Sequence, residues 1–324
     1  MLDATESGGL AGLNHSQLKE FGILYRKVSS DLVHVRSVTS NAELTEYLNN
    51  LVSRGYAKIY SGVNIRLGSI YGFFMRQFPR ELRACSAYFI LSAAIFLAGI
   101  TFGFLSVTFD QQSRYYLMMP DHMYTSPSEH VTEALEAQEH GGRITSAGHA
   151  SFFSTFLFTN NIRVGLLAFA AGITLGIGTV LVLVFNGATI GAVAAAYHES
   201  SVTLFFYSWV LPHGITELTC IVIAGAAGLL LGRAVLWPGE YTTADSLRIR
   251  GRSALVLMLG TIPLFILAGL IEGSLSQINP PAIPYWFKLL VAVATGALLI
   301  LYLGFAGRTS KTKQAGALSP EDTG

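Results

Sequence analysis

The sequence predicts an all-α fold, a polytopic membrane helix bundle carrying a small N-terminal helical domain, and three observations predict it. Charged residues make up only 13% of the chain, against roughly 25% in a soluble domain. Hydrophobic residues reach 51% and mean hydropathy is +0.48. The shortage of charge is also concentrated: beyond Arg83 long stretches carry almost none, as lipid-buried helices do.

Residues 1–84 read as a cytoplasmic helical domain. Leu18, Phe21, Leu24, Tyr25, Val28, Leu32 and Val35 recur at helical spacing. Asn41 is placed to cap a second helix with Leu44, Tyr47, Leu48, Leu51 and Val52 on one face, so the two helices can pair as an antiparallel hairpin. A third stretch, 64–78, mixes Ile65, Leu67, Ile70, Phe73 and Phe74 with Arg66 and Arg76; it reads either as a basic helix on the membrane surface or as a third packed helix. Residues 1–14 lack the basic and apolar regions of a cleavable signal peptide.

The transmembrane domain is expected over 85–306. The first span falls at Cys85 to Val107, with later spans near 162–185, 214–236, 253–274 and 285–306. An external loop covers 108–161 and a cytoplasmic tail 307–324. Segment 187–211 is apolar but interrupted by His198, Glu199, Ser200 and Ser201. Arg76, Arg80 and Arg83, then Arg248, Arg250 and Arg252, then Arg308, Lys311 and Lys313 form three basic clusters. All three reach the cytoplasm only if 187–211 crosses as a broken helix, which gives six spans of the cell membrane with both termini in the cytoplasm. Five spans with 187–211 re-entrant is the alternative. The break is expected at Asn186-Gly187.

Small residues four apart, Gly172 and Gly176, Gly187 and Gly191, Gly228 and Gly232, allow close helix approach. Packing within one subunit is the simplest use; a seam between copies in a homo-oligomer is the other. The glycines of 172–178 lie in apolar sequence with no preceding strand, so they do not read as a nucleotide loop. A net charge of +1 argues against nucleic-acid binding. Cys85 and Cys220 form no metal-type spacing.

Ionisable residues within spans are costly and mark candidate sites. Glu217 and Glu272 fall at similar depth near the outer boundary, His213 lies one turn before Glu217 on the same face, and Asn160, Asn161 and Arg163 enter at that level. The cluster reads as a proton, ion or headgroup site, or as hydrogen-bonded groups that fix helix crossings. Two ligands from His213 and Glu217 are too few for a metal. His122, His130, His140 and His149 are irregularly spaced in the loop, and Glu129 to Glu139 fits a short acidic helix. No nucleophile–base pairing is legible, so neither an enzyme nor a cofactor is expected.

Asn160-Asn161-Ile162-Arg163, Gly172 to Gly178, Asn186-Gly187 with Gly191, Pro212-His213-Gly214 with Glu217, Ala224 to Gly232 and Ile271-Glu272-Gly273 occur in an order that resembles the stage II sporulation protein M family. Tyr25-Arg26, Asp31-Leu32, Tyr47-Leu48-Asn49 and Phe78-Pro79 resemble its longer members. The resemblance implies an integral membrane protein whose relatives act with partners in peptidoglycan remodelling, as scaffolds localising cell-wall hydrolases. The expected function is therefore a membrane scaffold with envelope protein partners and the lipid bilayer around it. A transporter or channel using the intramembrane carboxylates is the alternative.

Overall fold

A computed structural model describes residues 14–38, 41–59, 67–117, 147–199, 203–276, 278 and 282–308. The described residues are helical, with no strand among them, and the chain divides into two compact units, Met1–Ile70 and Tyr71–Gly324. In the first unit, α1 (His15–Val38) and α2 (Ala42–Ile59) form an antiparallel hairpin. Each helix begins on an asparagine cap. Asn14 Oδ1 accepts from the Gln17 N–H at 2.9 Å while Gln17 returns a bond to the Asn14 N–H, and Asn41 Oδ1 accepts from Leu44 at 3.1 Å, as the sequence predicts. Tyr25 lies over Gly55 and Arg36 donates to Asn49. Among the described residues of this unit, only Phe21, Leu32 and Gly55 are buried.

The division falls within short α3 (Leu67–Gly72), and the second unit continues with a π-turn at Phe73–Gln77 and α4 (Phe78–Ala84). Then follow α5 (Ser86–Phe109), short α6 (Ser113–Leu117), α7 (Ala147–Ala170), α8 (Ile177–Glu199), α9 (Thr203–Leu236), α10 (Thr243–Gly260), α11 (Ile262–Ile271) with a π-turn at Glu272–Ser276, and α12 (Tyr285–Phe305). Among the described residues, five helical stretches are long and apolar enough to cross a membrane: α5, α8, α9, the run from Thr243 to Ser276, and α12. This is a multi-pass membrane protein. Its perimeter is apolar, with Ile90, Leu181, Leu270, Val293 and Ile300 exposed where lipid would lie.

α9 is the axis of the second unit, and every other long helix of that unit packs on it. Contacts along its length set the direction of each neighbour. α7 runs parallel to it, with Asn161 at Glu217, Gly165 at Ala224 and Ala168 at Gly228. α8 runs antiparallel, with Thr179 at Gly228 and Leu183 at Gly225, and α5 is parallel to α8, with Gly99 at Val184 and Gly103 at Ala188. The α10–α11 run is antiparallel to α9, with Thr261 at Cys220 and Ser276 at His213. α12 returns from Ser276 to α4, where Arg83 donates to the Leu303 and Ala306 carbonyls at 2.6 and 2.7 Å and Tyr302 donates to Phe74. Helical traverses thus alternate in direction, and one end gathers α4, the turn before α8, the α9–α10 connection and the end of α12.

The boundaries differ from those read in the sequence. Residues 162–185 are not one span: the chain ends α7 at Ala170, passes through a 3-10 turn at Ala171–Ile173 and reverses before α8. Leu175 and Gly176 take positive φ, 59° and 84°, to make the reversal. Its polar backbone is satisfied locally. Thr174 Oγ1 donates to Ala171 O and accepts from the Gly178 N–H, while Gly176 N–H bonds Gly172 O. The loop read at 108–161 is also shorter, since helix begins at Ala147; residues 118–146, with His122, His130, His140 and the acidic segment, lie outside the described residues.

The break expected at Asn186-Gly187 is absent, and α8 runs straight through it. Consequently 187–211 is not a broken helix but the end of α8 and the start of α9. His198 and Glu199 mark the boundary, with His198 Nδ1 3.3 Å from Thr203 Oγ1. Gly187 is required for packing rather than for a turn, because a methyl there would meet Phe96 O at 2.5 Å. Likewise α9 begins at Thr203, eleven residues before the expected 214, and carries Pro212 inside it.

All three glycine pairs noted in the sequence pack within the chain. Gly187 and Gly191 receive α5, while Gly172 and Gly176 rest on Gly228 and Gly232. A further pair, Gly99 and Gly103, completes the α5–α8 contact: a methyl on Gly103 would overlap the Ala188 carbonyl. Gly103→Ala should therefore cost about 1–3 kcal/mol and visibly lower the thermal midpoint of the purified protein. Gly304→Ala, where nothing lies within 4 Å, should leave that midpoint essentially unchanged.

Candidate functional site

Beyond its glycine seam, α9 carries His213 and Glu217 one turn apart on the same face. Pro212 immediately precedes them and has no N–H for the Ser208 carbonyl. Both side chains are buried, at 5% and 2% exposure, beside fully buried Thr216. The helices packed around them supply further polar groups. Asn161 of α7 donates from Nδ2 to Glu217 Oε2 at 2.6 Å. The π-turn after α11 brings Glu272 and Ser276 onto α9, both with no exposed surface. His213 Nδ1 lies 2.9 Å from Ser276 Oγ, and Lys288, fully buried on α12, donates to the Ser276 carbonyl at 3.0 Å.

Four elements, α7, α9, the π-turn and α12, therefore meet in one place, toward the end of the bundle away from α4. The π-turn explains part of this. Its wider i→i+5 bonding shifts the register of the last residues of the helix, and such turns recur at functional sites. The π-turn that carries Glu272 packs on α9, which carries Glu217, and Lys288 and His213 both bond Ser276. Among the described residues, Glu217 Oε1 and both oxygens of Glu272 have no hydrogen-bond partner. Three buried acceptor oxygens without donors are costly, because each has lost its water.

Of the residues singled out in the sequence, His213, Glu217, Glu272 and Asn161 come together. Arg163 does not. It is exposed, two positions beyond Asn161 and so roughly 200° around the helix. Asn160 is half-buried and bonds neither carboxylate. Asn186 lies on α8, half-buried, with an unpartnered side-chain oxygen, while Gly187 faces α5. Neither belongs to the site. Lys288 and Ser276 were missed. A charged residue inside an apolar helix flags Lys288 by the rule that flags the glutamates; nothing in the sequence distinguishes Ser276 from other serines. No group of three or more His, Cys, Asp or Glu suited to a metal occurs among the described residues.

The bonds rank the residues. Asn161→Ala would strip Glu217 of its described donor and should destabilise the protein by about 1–3 kcal/mol. Arg163→Ala, two residues away and exposed, should change stability by less than about 0.5 kcal/mol. Thermal unfolding of the two variants side by side is the check.

Comparisons with known proteins follow the same boundaries. A family model described as Stage II sporulation protein M matches residues 92–277, from within α5 to the end of the π-turn that holds Glu272. A second, described as a domain of unknown function, matches residues 1–61, the region of the N-terminal hairpin. An uncharacterized protein of Methanocaldococcus jannaschii is 34% identical over 73 residues, which is 22% of this chain and 41% of that protein. The match therefore spans less than half of that relative. No solved structure matches.

Proposed function

Because the chain belongs to the stage II sporulation protein M family, we propose that it is an integral membrane scaffold, without catalysis of its own, that organises an envelope-associated protein complex linked to cell-wall remodelling. The observation that carries this reading is the N-terminal hairpin. Two helices cannot cover their own apolar residues, and Ile23, Val33, Val38, Tyr47 and Tyr56 stand 49–68% exposed on it. Apolar surface of this kind on a unit separate from the membrane bundle is what a protein partner would cover. In this reading the chain lies in the cytoplasmic membrane with both termini inside. The supporting observation is that Arg83, Arg250 and Arg308 belong to the same end of the bundle.

Crosslinking in native membranes followed by mass spectrometry tests the proposal. A stoichiometric partner should be recovered with the full chain and lost with Val33→Asp combined with Tyr47→Asp, both exposed positions that leave the helices intact. Absence of any stoichiometric partner for the unaltered chain overturns the scaffold.

A second reading rests on a different observation, the three unpartnered carboxylate oxygens of Glu217 and Glu272. Here the bundle conducts or transports a proton or small cation. In liposomes the protein should then pass that ion, and Glu217→Gln with Glu272→Gln should abolish the flux. Flux unaltered in the double variant removes these residues from any such path.

A further inference from the structure

The polar groups around Glu272 do not balance in charge. Glu217 and Glu272 bring two carboxylates, and the basic groups bonded into the same cluster through Ser276 are His213 on α9 and Lys288 on α12. The other described titratable groups on these elements are Tyr207, Cys220 and Arg233 on α9, Tyr285 and Tyr302 on α12, and Arg163 on α7. Arg233 lies toward the far end of α9 beside Trp237, and Arg163 is exposed, so neither supplies positive charge here. Lys288 brings one positive charge. A second on the His213 imidazole would stand beside it, because His213 and Lys288 both bond Ser276. One negative charge is left over, at a place where the residues that carry it are no more than 2% exposed. Burying an uncompensated charge costs several kcal/mol.

The hydrogen bonds tell the same story independently of charge. Asn161 satisfies one oxygen of Glu217, and the other three carboxylate oxygens accept nothing among the described residues. A buried carboxylate in a settled structure takes two or three donors. The missing donors and the missing positive charge fall on the same two side chains.

We propose that Glu217 and Glu272 together form a binding site for one monovalent positive charge, a proton or a sodium-sized cation, held between α9 and the π-turn that follows α11. Bound as a proton, it turns one carboxylate into a donor for the other's oxygen; bound as a cation, it is ligated by the three open oxygens. Either way it joins the π-turn to α9, so occupancy governs how Glu272 and Ser276 seat against His213. The site stands apart from the scaffold reading, whose failure shows in missing partners and not in the measurement below.

The test is infrared spectroscopy of the purified full-length chain in lipid nanodiscs at neutral pH, in sodium and in choline buffers. A carboxylic-acid C=O stretch present in both buffers, shifted in D2O and lost in Glu272→Gln, supports the site with a proton in it. Carboxylate bands that move, with a thermal midpoint that rises, only when sodium replaces choline support the site with a cation. Ionised carboxylates in both buffers, with neither the acid stretch nor a sodium response, overturn it. Lys288→Gln gives a second arm that leaves both carboxylates in place. Without the internal cation a second external charge is needed, so the acid stretch or sodium response should grow about twofold. An unchanged signal from folded Lys288→Gln protein overturns the charge count.

Discussion

The bundle depends on how closely its helices can approach α9 and one another. In lipid no hydrophobic force drives helices together, so backbone contact and buried polar bonds must do it. Gly228 and Gly232 let the turn between α7 and α8 lie directly on the α9 backbone, and Gly99, Gly103, Gly187 and Gly191 bring α5 against α8 in the same manner. Ser92 adds a hydrogen bond to the Val222 carbonyl, and Thr179 adds one to Ala168. With these contacts made, α9 is enclosed along most of its length, and the burial of His213, Glu217 and Cys220 follows.

Enclosure has an electrostatic price. A polar group on an outer helix can reach water or headgroups, but one on the central helix must find its partners in the protein. Asn161, Ser276 and Lys288 meet part of that need from three different helices. Two of these bonds, Asn161 to Glu217 and His213 to Ser276, cross between elements distant in sequence and so fix which helices lie beside α9. The polar cluster and the glycine seam occupy different stretches of α9, so one end is set by close packing and the other by hydrogen bonding.

Much of this was legible in the sequence, and the rest was hidden for identifiable reasons. Scarcity of charge reported the membrane class, and the ordered motifs from Asn160 to Gly273 reported the family. Asn41 announced a helix start, and Glu217 with Glu272 announced a site. Hydropathy failed at Ala171 to Gly176 because it registers where apolar sequence stops, whereas here the chain reverses within apolar sequence. Thr174 makes that affordable by bonding the turn's own backbone. The opposite error came at Asn186-Gly187, where a polar residue and a glycine resembled a boundary but Gly187 serves a helix contact. His198 to Ser201, read as an interruption, is where α8 in fact ends. Arg163 was drawn into the cluster by depth alone; its angular position on α7 excludes it.

The turn at 171–176 has a consequence for how the protein is made. Its seat is formed by Gly228 and Gly232, residues synthesised some fifty positions later. While α7 and α8 emerge from the ribosome, the left-handed residues Leu175 and Gly176 have only their local bonds to hold them. The seat of this turn is therefore completed only once α9 has been made.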